Sequence, residues 1–270
     1  MAHGRPAMTN PHPAYRPDID GLRAVAILAI VVFHAFPELV QGGFVGVDIF
    51  FVISGYLISG ILLRGMARGD FSFAEFYSRR IKRISPALIV VLSSCLVFAW
   101  FALLPAEYKA LGKHSAAGAA FLANFVFWHE TGYFDTASEL KPLLHLWSLS
   151  IEEQFYVLWP AVLFVAYRFK LPVLGMILLI AVCSFFMNVA YIKNDLSAAF
   201  YLPPSRVWEL LMGGVLAYLN FHRQDGSSTA SGNFKSASGL ALIFLSVFSL
   251  NKSHLFPGWW ALLPTMEHLS

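Results

Sequence analysis

The sequence predicts an all-α protein, a polytopic bundle of transmembrane helices. Apolar residues make up 57% of the 270 residues and charged residues only 13%, whereas soluble domains carry about 25% charged residues. The mean hydropathy is +0.62. Apolar runs near the ~20 residues that a membrane-crossing helix needs recur along the chain. So much apolar surface indicates burial in lipid, and the lack of a continuous basic face argues against a nucleic-acid partner.

The apolar runs predict seven or eight spans and the beginning of another. Residues 1–15 are polar and Pro-rich and predict a disordered cytoplasmic tail, and Gln224–Ser238 is Gly/Ser-rich and predicts an exposed loop. The run Ser115–Trp128 is short, which leaves open whether it spans, re-enters or lies buried. The predicted runs are Ile19–Phe36, Phe44–Leu63, Ile84–Leu104, Ser115–Trp128, Leu149–Tyr167, Leu171–Ile192, Val207–Tyr218 and Leu240–Leu250, with Phe256–Pro264 beginning the next.

The distribution of basic residues predicts the orientation of the first spans, because short cytoplasmic loops are rich in Lys and Arg. The densest group lies between the second and third predicted spans, so this loop and the amino terminus are expected in the cytoplasm. Beyond residue 105 the charges nearly balance and leave the topology open. The basic group comprises Arg64, Arg68, Arg79, Arg80, Lys82 and Arg83.

Ionisable residues inside the first two spans are candidates for chemistry, because such groups are costly in lipid. Arg23 and His34 are 11 residues apart, so they share a helix face and are separated by ~16 Å along the axis. Asp48 follows the short turn between the spans and is expected at the depth of His34, where its carboxylate could orient the imidazole as a base. The simpler alternatives are that Arg23 anchors the lipid boundary, that His34 is a hydrogen-bonded interior histidine and that Asp48 anchors the loop.

The basic stretch Phe76–Pro86 has two interpretations. It determines topology and binds anionic lipid headgroups, or its guanidinium groups hold the phosphates of a nucleotide-bearing cofactor such as coenzyme A. The stretch is interpreted as a loop, with Arg79, Arg80 and Arg83 as the candidate phosphate ligands.

Two later segments are also rich in polar side chains at predicted helix starts. The stretch from His145 to Tyr156 contains capping serines and acidic residues, but capping does not explain His145, Trp147 and Gln154. In the other segment, Arg206 and Glu209 are three residues apart and could pair, which is the simpler alternative to a functional role. No zinc spacing, Gly-rich phosphate loop or nucleophile elbow is present in the sequence. The absence of these motifs favours chemistry assisted by a base and without a metal, in which the reaction is direct or passes through a covalent intermediate.

These segments together resemble acyltransferase family three, a family of membrane O-acyltransferases, and they occur in the family's order. The resemblance covers residues 15 to about 215 and rests on five elements. They are Asp20-Gly-Leu-Arg23-Ala with His34; Gly43-Phe-Val-Gly-Val-Asp48 through Ser54-Gly55-Tyr56; Phe76-Tyr-Ser-Arg79-Arg80; His145-Leu-Trp147-Ser148 through Glu153-Gln154-Phe-Tyr156; and Ser205-Arg206-Val-Trp208-Glu209.

The resemblance implies a multi-pass enzyme of the bacterial inner membrane. Such proteins pass an acyl group, usually acetyl, from cytoplasmic acyl-CoA to a sugar hydroxyl of an O-antigen (lipopolysaccharide), exopolysaccharide or peptidoglycan. The expected partners are therefore the lipid bilayer, acetyl-CoA as donor and a glycan acceptor. The resemblance also implies that Arg23 and His34 belong to the acyl-transfer site and that the basic stretch holds the donor.

The end of the chain resembles the subgroup in which an SGNH-type domain follows the membrane domain. Phe256–Thr265 matches this subgroup, but residues 266–270 break the apolar run. We therefore expect residues 16–265 to be a truncated membrane domain that lacks later spans and the SGNH-type domain.

The expected mechanism assigns a role to each candidate. His34 is the base, oriented by Asp48 or Glu153, and Arg23, Arg79, Arg80 and Arg83 bind the donor. The substrate or the transition state is expected to contact Tyr56, His145, Trp147, Gln154 and Arg206. The alternatives are a transporter or flippase of a lipid-linked sugar, which also needs broken helices and charges in the membrane, and an inactive truncated fragment.

Overall fold

A computed structural model describes residues 17–38, 40–131, 141–222, 245–248, 257–262 and 265. In these residues the regular structure is helical and contains no strand, which confirms the all-α prediction. Residues 1–15, Gln224–Ser238 and 266–270, on which other predictions were made, lie outside the described residues. The helices are α1 (Pro17–Ala35), α2 (Gly46–Arg68), α3 (Phe73–Ala102), α4 (Pro105–Ala119), α5 (Ala123–Glu130), α6 (Leu146–Arg168), α7 (Val173–Asn194), α8 (Leu196–Tyr201) and α9 (Pro203–His222).

Four segments of the described residues are long and apolar enough to cross a membrane. They contain α2, α3, α6 and α7. Most of α2 is buried inside the bundle, whereas α3 and α7 expose most of their apolar surface, as helices facing lipid do. The protein is thus a membrane protein with α2 at its centre, and the total of seven or eight spans stays a prediction.

The third predicted span begins earlier than expected, because the basic stretch Phe76–Pro86 is not a loop. It forms the first half of α3, a single helix of 30 residues. The hydroxyl of Ser72 caps this helix by accepting a bond from the Glu75 backbone amide at 3.4 Å, and Pro86 lies inside the helix without ending it. The basic side chains therefore project from a rigid helix instead of a flexible connection.

The run Ser115–Trp128 does not form one continuous helix. It is broken between α4 and α5 at Phe121, whose backbone has a positive φ of 54°. The amide nitrogen of Gln154 donates to the Phe121 carbonyl at 2.7 Å and to the Asn124 side chain at 2.9 Å. Gln154 was expected to contact substrate, but both of these bonds hold the α4–α5 break against α6.

Two glycines allow α2 and α9 to pack in backbone contact. A side chain at Gly55 would collide with the Leu210 carbonyl, and one at Gly213 would collide with the backbone of Val52 and Tyr56. Small residues at such positions let membrane helices approach closely. This contact fixes the relative position of the polar groups that the two helices carry.

Candidate active site

His34 lies in the last turn of α1, and its imidazole is anchored by its own helix. The Nδ1 atom is 2.8 Å from the Ile30 carbonyl oxygen. Because a carbonyl only accepts hydrogen bonds, Nδ1 must carry the proton and donate it. In the neutral ring, Nε2 is then left with a lone pair, which is the arrangement of a general base.

His34 and His145 lie close together at one end of the bundle, which we call the histidine end. His145 directly precedes α6. The pKa of His145 is lowered mainly by partial desolvation and, to a smaller extent, by the electrostatic effect of His34. The imidazoles at the end of α1 and just before α6 are thus near enough to interact electrostatically, although they are more than a hundred residues apart in the sequence.

Asp48 does not orient His34, so this prediction is wrong. Asp48 lies in the first turn of α2, at the expected end of the helix, but its Oδ1 accepts a 2.6 Å bond from Nη2 of Arg206. Arg206 Nη1 also lies 3.0 Å from Glu209 Oε1, which confirms the predicted Arg206–Glu209 pair. The three side chains are at most 1% exposed, and they form a buried ionic triad that joins α2 to α9.

Arg206 and Trp147 were candidates to stabilise the transition state, but the structure gives them packing roles. The Arg206 guanidinium lies 5.5–5.8 Å from the ring centres of Phe51, Trp147 and Phe200. Trp147 is 6% exposed, and its ring is 4.5 Å from that of Phe200. Cation–π contacts in this aromatic cage stabilise the buried charge of Arg206.

Tyr56 lies away from the histidine end. It follows Asp48 on α2 by eight residues, or about 12 Å along the helix. Its hydroxyl accepts a bond from the Asn220 side-chain amide at 3.2 Å. Tyr56 and Asn220 line a cavity of about 180 Å³ together with Asp18, at the opposite end of α1 from His34. The expected contact of Tyr56 with the reacting group is therefore not supported.

Four ionisable groups form what we call the charged layer: Arg23, Arg80, Glu152 and Glu153. Electrostatic interactions connect Glu152 with Arg23 and with Glu153, and Glu153 with Arg80. The layer joins α1, α3 and α6 at a depth below the histidine end. It contains two of the predicted donor ligands, Arg80 and Arg23, and Nη1 of Arg23 also lies 3.3 Å from Oδ1 of Asp20.

Glu152 is a central residue of this layer that the sequence analysis missed. Its Oε1 accepts a bond from the Ser54 hydroxyl at 3.1 Å, and its Oε2 accepts one from the Tyr156 hydroxyl at 3.3 Å. The spacing of Glu152 and Tyr156, one helical turn apart, was an available signal. The adjacent Glu153 was predicted as a partner of His34, but the interaction found in the structure is an electrostatic one with Arg80.

The other predicted donor ligands lie on the exposed side of α3. Arg79 pairs with Glu75 at 2.9 Å, and both side chains are 60% exposed. Arg83 is exposed and lies close enough to Arg80 to interact with it electrostatically. The three arginines thus remain neighbours on one helix, and Arg80 is the one of the three that belongs to the charged layer.

A second ionic cluster surrounds Glu130, where α5 ends. Its carboxylate lies 2.8 Å from Lys113, 2.8 Å from His114 and 3.3 Å from Lys141. Partial burial opposes ionisation, but hydrogen bonds from Lys113 and His114 and their charge lower the pKa of Glu130 to about 2. Because Lys141 lies one turn before His145, this cluster fixes the chain that leads into α6.

Comparison with known families places the chain in one of them. Residues 16–266 match the model of acyltransferase family 3, which is described as "Acyltransferase domain". The chain belongs to this acyltransferase family.

The chain is also similar to three bacterial proteins that are named as O-acetyltransferases. The putative peptidoglycan O-acetyltransferase YrhL of Bacillus subtilis is 39% identical over 214 residues, which cover 76% of this chain and 33% of YrhL. The peptidoglycan O-acetyltransferase OatA of Listeria monocytogenes is 39% identical over 215 residues, 76% of this chain and 34% of OatA. The O-acetyltransferase OatA of Staphylococcus aureus is 36% identical over 214 residues, 77% and 35% of the two chains.

The chain aligns with about a third of the length of these curated relatives. No solved structure matches it. Family membership and the geometry of the described residues are therefore the two bases for a functional proposal.

Proposed function

We propose that this chain is the membrane part of an O-acetyltransferase that moves an acetyl group from cytoplasmic acetyl-CoA to a hydroxyl group of peptidoglycan. Membership of the acyltransferase family supports acyl transfer. The names of the Bacillus and Listeria relatives support peptidoglycan as the acceptor. The observation that carries the proposal is the imidazole of His34, with Nδ1 held by Ile30 and a second imidazole, His145, beside it.

The proposed reaction needs one base at the histidine end. The sugar hydroxyl oxygen attacks the thioester carbonyl carbon while His34 Nε2 accepts the hydroxyl proton. A C–O bond forms, the C–S bond breaks, and the departing thiolate takes the proton from the imidazolium, which restores neutral His34. A positioned general base contributes about 10²–10⁴-fold to the rate.

The proposed orientation places the amino terminus in the cytoplasm of a bacterial cell and the histidine end near the outer face of the membrane. Its support is the concentration of basic residues between α2 and the middle of α3. Arg23 and His34 are separated by ~16 Å along α1, which an extended pantetheine arm spans. The thioester would reach His34 while the nucleotide stays on the cytoplasmic side, near the basic face of α3.

Sided membrane vesicles containing the protein test this function. Radiolabelled acetyl-CoA is supplied to inside-out and to right-side-out vesicles that carry peptidoglycan, and label on the glycan is counted. Labelling is expected only where acetyl-CoA reaches the cytoplasmic face. Vesicles that label no more glycan than vesicles without the protein would contradict the proposal, and transport of a lipid-linked sugar without labelling would favour the flippase alternative.

A further inference from the structure

Glu153 holds a buried acceptor that no described residue uses. The side chain is 8% exposed, and its Oε1 has no hydrogen-bond partner among the described residues. The neighbouring Glu152 differs, because Ser54 and Tyr156 satisfy both of its oxygens. Burying an acceptor without a hydrogen-bond partner is unfavourable, so the Oε1 of Glu153 points to a ligand that donates a hydrogen bond.

A buried donor faces the same layer. Arg80, from α3, interacts electrostatically with Glu153, and its Nε also has no hydrogen-bond partner among the described residues. The Arg80 guanidinium also lies 6.0 Å from the Phe76 ring centre, one turn before it on α3. An acceptor and a donor that both lack partners are thus brought together by α6 and α3.

The chemistry of this pair selects its ligand. A phosphate or carboxylate would be attracted by Arg80 but repelled by Glu153. An ammonium group would be attracted by Glu153 but repelled by Arg80. A secondary amide suits both groups, because its N–H donates to a carboxylate and its carbonyl accepts from a guanidinium. Water also has both capacities and is the simplest competitor.

The depth of Glu153 and Arg80 below the histidine end agrees with the position of an amide in the arm of coenzyme A. Glu153 follows His145 by eight residues, so it lies about 12 Å from His145 along α6. The arm of coenzyme A carries two secondary amides behind its sulfur. An extended polypeptide spans ~3.3–3.6 Å per residue, and the arm of coenzyme A has a similar chain geometry. With the thioester of an extended arm at His34, one of the amides would therefore lie on the order of 10 Å from His34.

We propose that Glu153 and Arg80 bind an amide of the donor's pantetheine arm, with Glu153 Oε1 accepting its N–H and Arg80 Nε donating to its carbonyl. This inference rests on the proposed use of acetyl-CoA. It gives Glu153 a role in donor binding, in place of the catalytic role expected from the sequence.

Binding measurements on the purified chain test the inference without depending on turnover. Glu153→Met removes the acceptor and keeps a side chain of similar length, whereas Glu153→Gln keeps a carbonyl acceptor. We expect Glu153→Met to weaken coenzyme A binding about tenfold and to leave binding of adenosine bisphosphate, which lacks the arm, unchanged. Glu153→Gln should weaken coenzyme A binding by less than threefold.

The outcomes separate this inference from the function on which it rests. Equal coenzyme A affinity in the wild type and in Glu153→Met would overturn the amide contact and indicate that water occupies the pair. An equal loss for coenzyme A and adenosine bisphosphate would indicate a general structural defect and would also overturn it. If the wild type neither binds coenzyme A nor transfers acetyl groups, the proposed function itself fails and the inference fails with it.

Discussion

Arg206 donates a 2.6 Å hydrogen bond to Asp48 from a position 158 residues further along the chain. With Glu209, the pair places three ionisable groups in the bundle, each at most 1% exposed. Removing one partner of a buried ion pair leaves an uncompensated charge. The triad therefore stabilises the contact between α2 and α9 only while it is intact.

Substitutions in the triad should differ in severity. Arg206→Met leaves two buried carboxylates without a cation, and we expect it to cost about 3–5 kcal/mol of stability. Glu209→Gln should cost clearly less, because Asp48 still pairs with Arg206. Thermal unfolding of the purified variants in detergent measures both effects. Equal melting temperatures of Arg206→Met and the wild type would show that the ion pair does not stabilise the fold.

The glycine contacts between α2 and α9 give a second prediction about stability. Gly213→Ala places a methyl group against the backbone of Val52 and Tyr56, and we expect it to destabilise the protein by about 1–3 kcal/mol. Gly112→Ala is the matched control, because nothing lies within 4 Å of a side chain added there and alanine favours the helix by about 1 kcal/mol. If both variants melt alike, the helices do not pack as described.

The cluster around Glu130 predicts an acid-dependent loss of stability. The pKa of Glu130 is lowered from 4.5 to about 2 in the folded protein, so folding favours its carboxylate form. The resulting stabilisation is complete above about pH 4.5 and is lost as the pH falls towards 2. In a pH series of thermal melts, Glu130→Gln should lose less stability than the wild type between pH 4.5 and 2.5. If the melting temperatures of Glu130→Gln and the wild type fall in parallel with pH, the lowered pKa of Glu130 is contradicted.

Local sequence patterns predicted some of these features correctly. The Arg206–Glu209 pair follows from a spacing of three residues on one helix, and the shared helix of Arg23 and His34 follows from a single apolar run. Both predictions concern residues on one helix, where geometry depends only on spacing. The capping pair Ser72 and Glu75 was an equally local signal for the start of α3, and overlooking it led to the erroneous loop.

Contacts between distant segments could not be predicted in this way. Asp48 and His34 are near each other along the chain and at one end of their helices, yet the partner of Asp48 comes from α9. The choice between Glu152 and Glu153 depends on which of two adjacent side chains faces α2. Neighbouring positions on a helix differ by about 100°, so the packing of α2, α3 and α6 decides their roles.

The role of His34 is tested most directly by comparing two histidines that have the same local structure. His222 ends α9 as His34 ends α1, and its Nδ1 donates to the Tyr218 carbonyl at 2.9 Å, four residues back. Asn220, two residues before it, lines the cavity with Asp18, so His222 lies away from the histidine end. The variants His34→Gln and His222→Gln therefore change the same kind of side chain at opposite ends.

The measurement is transfer of radiolabelled acetyl groups from acetyl-CoA to peptidoglycan in membranes that contain equal amounts of each variant. We expect His34→Gln to lower the rate at least 100-fold, within the range of a lost general base, and His222→Gln to stay within twofold of the wild type. Acetyl transfer by His34→Gln at the rate of His222→Gln would contradict a base at the end of α1.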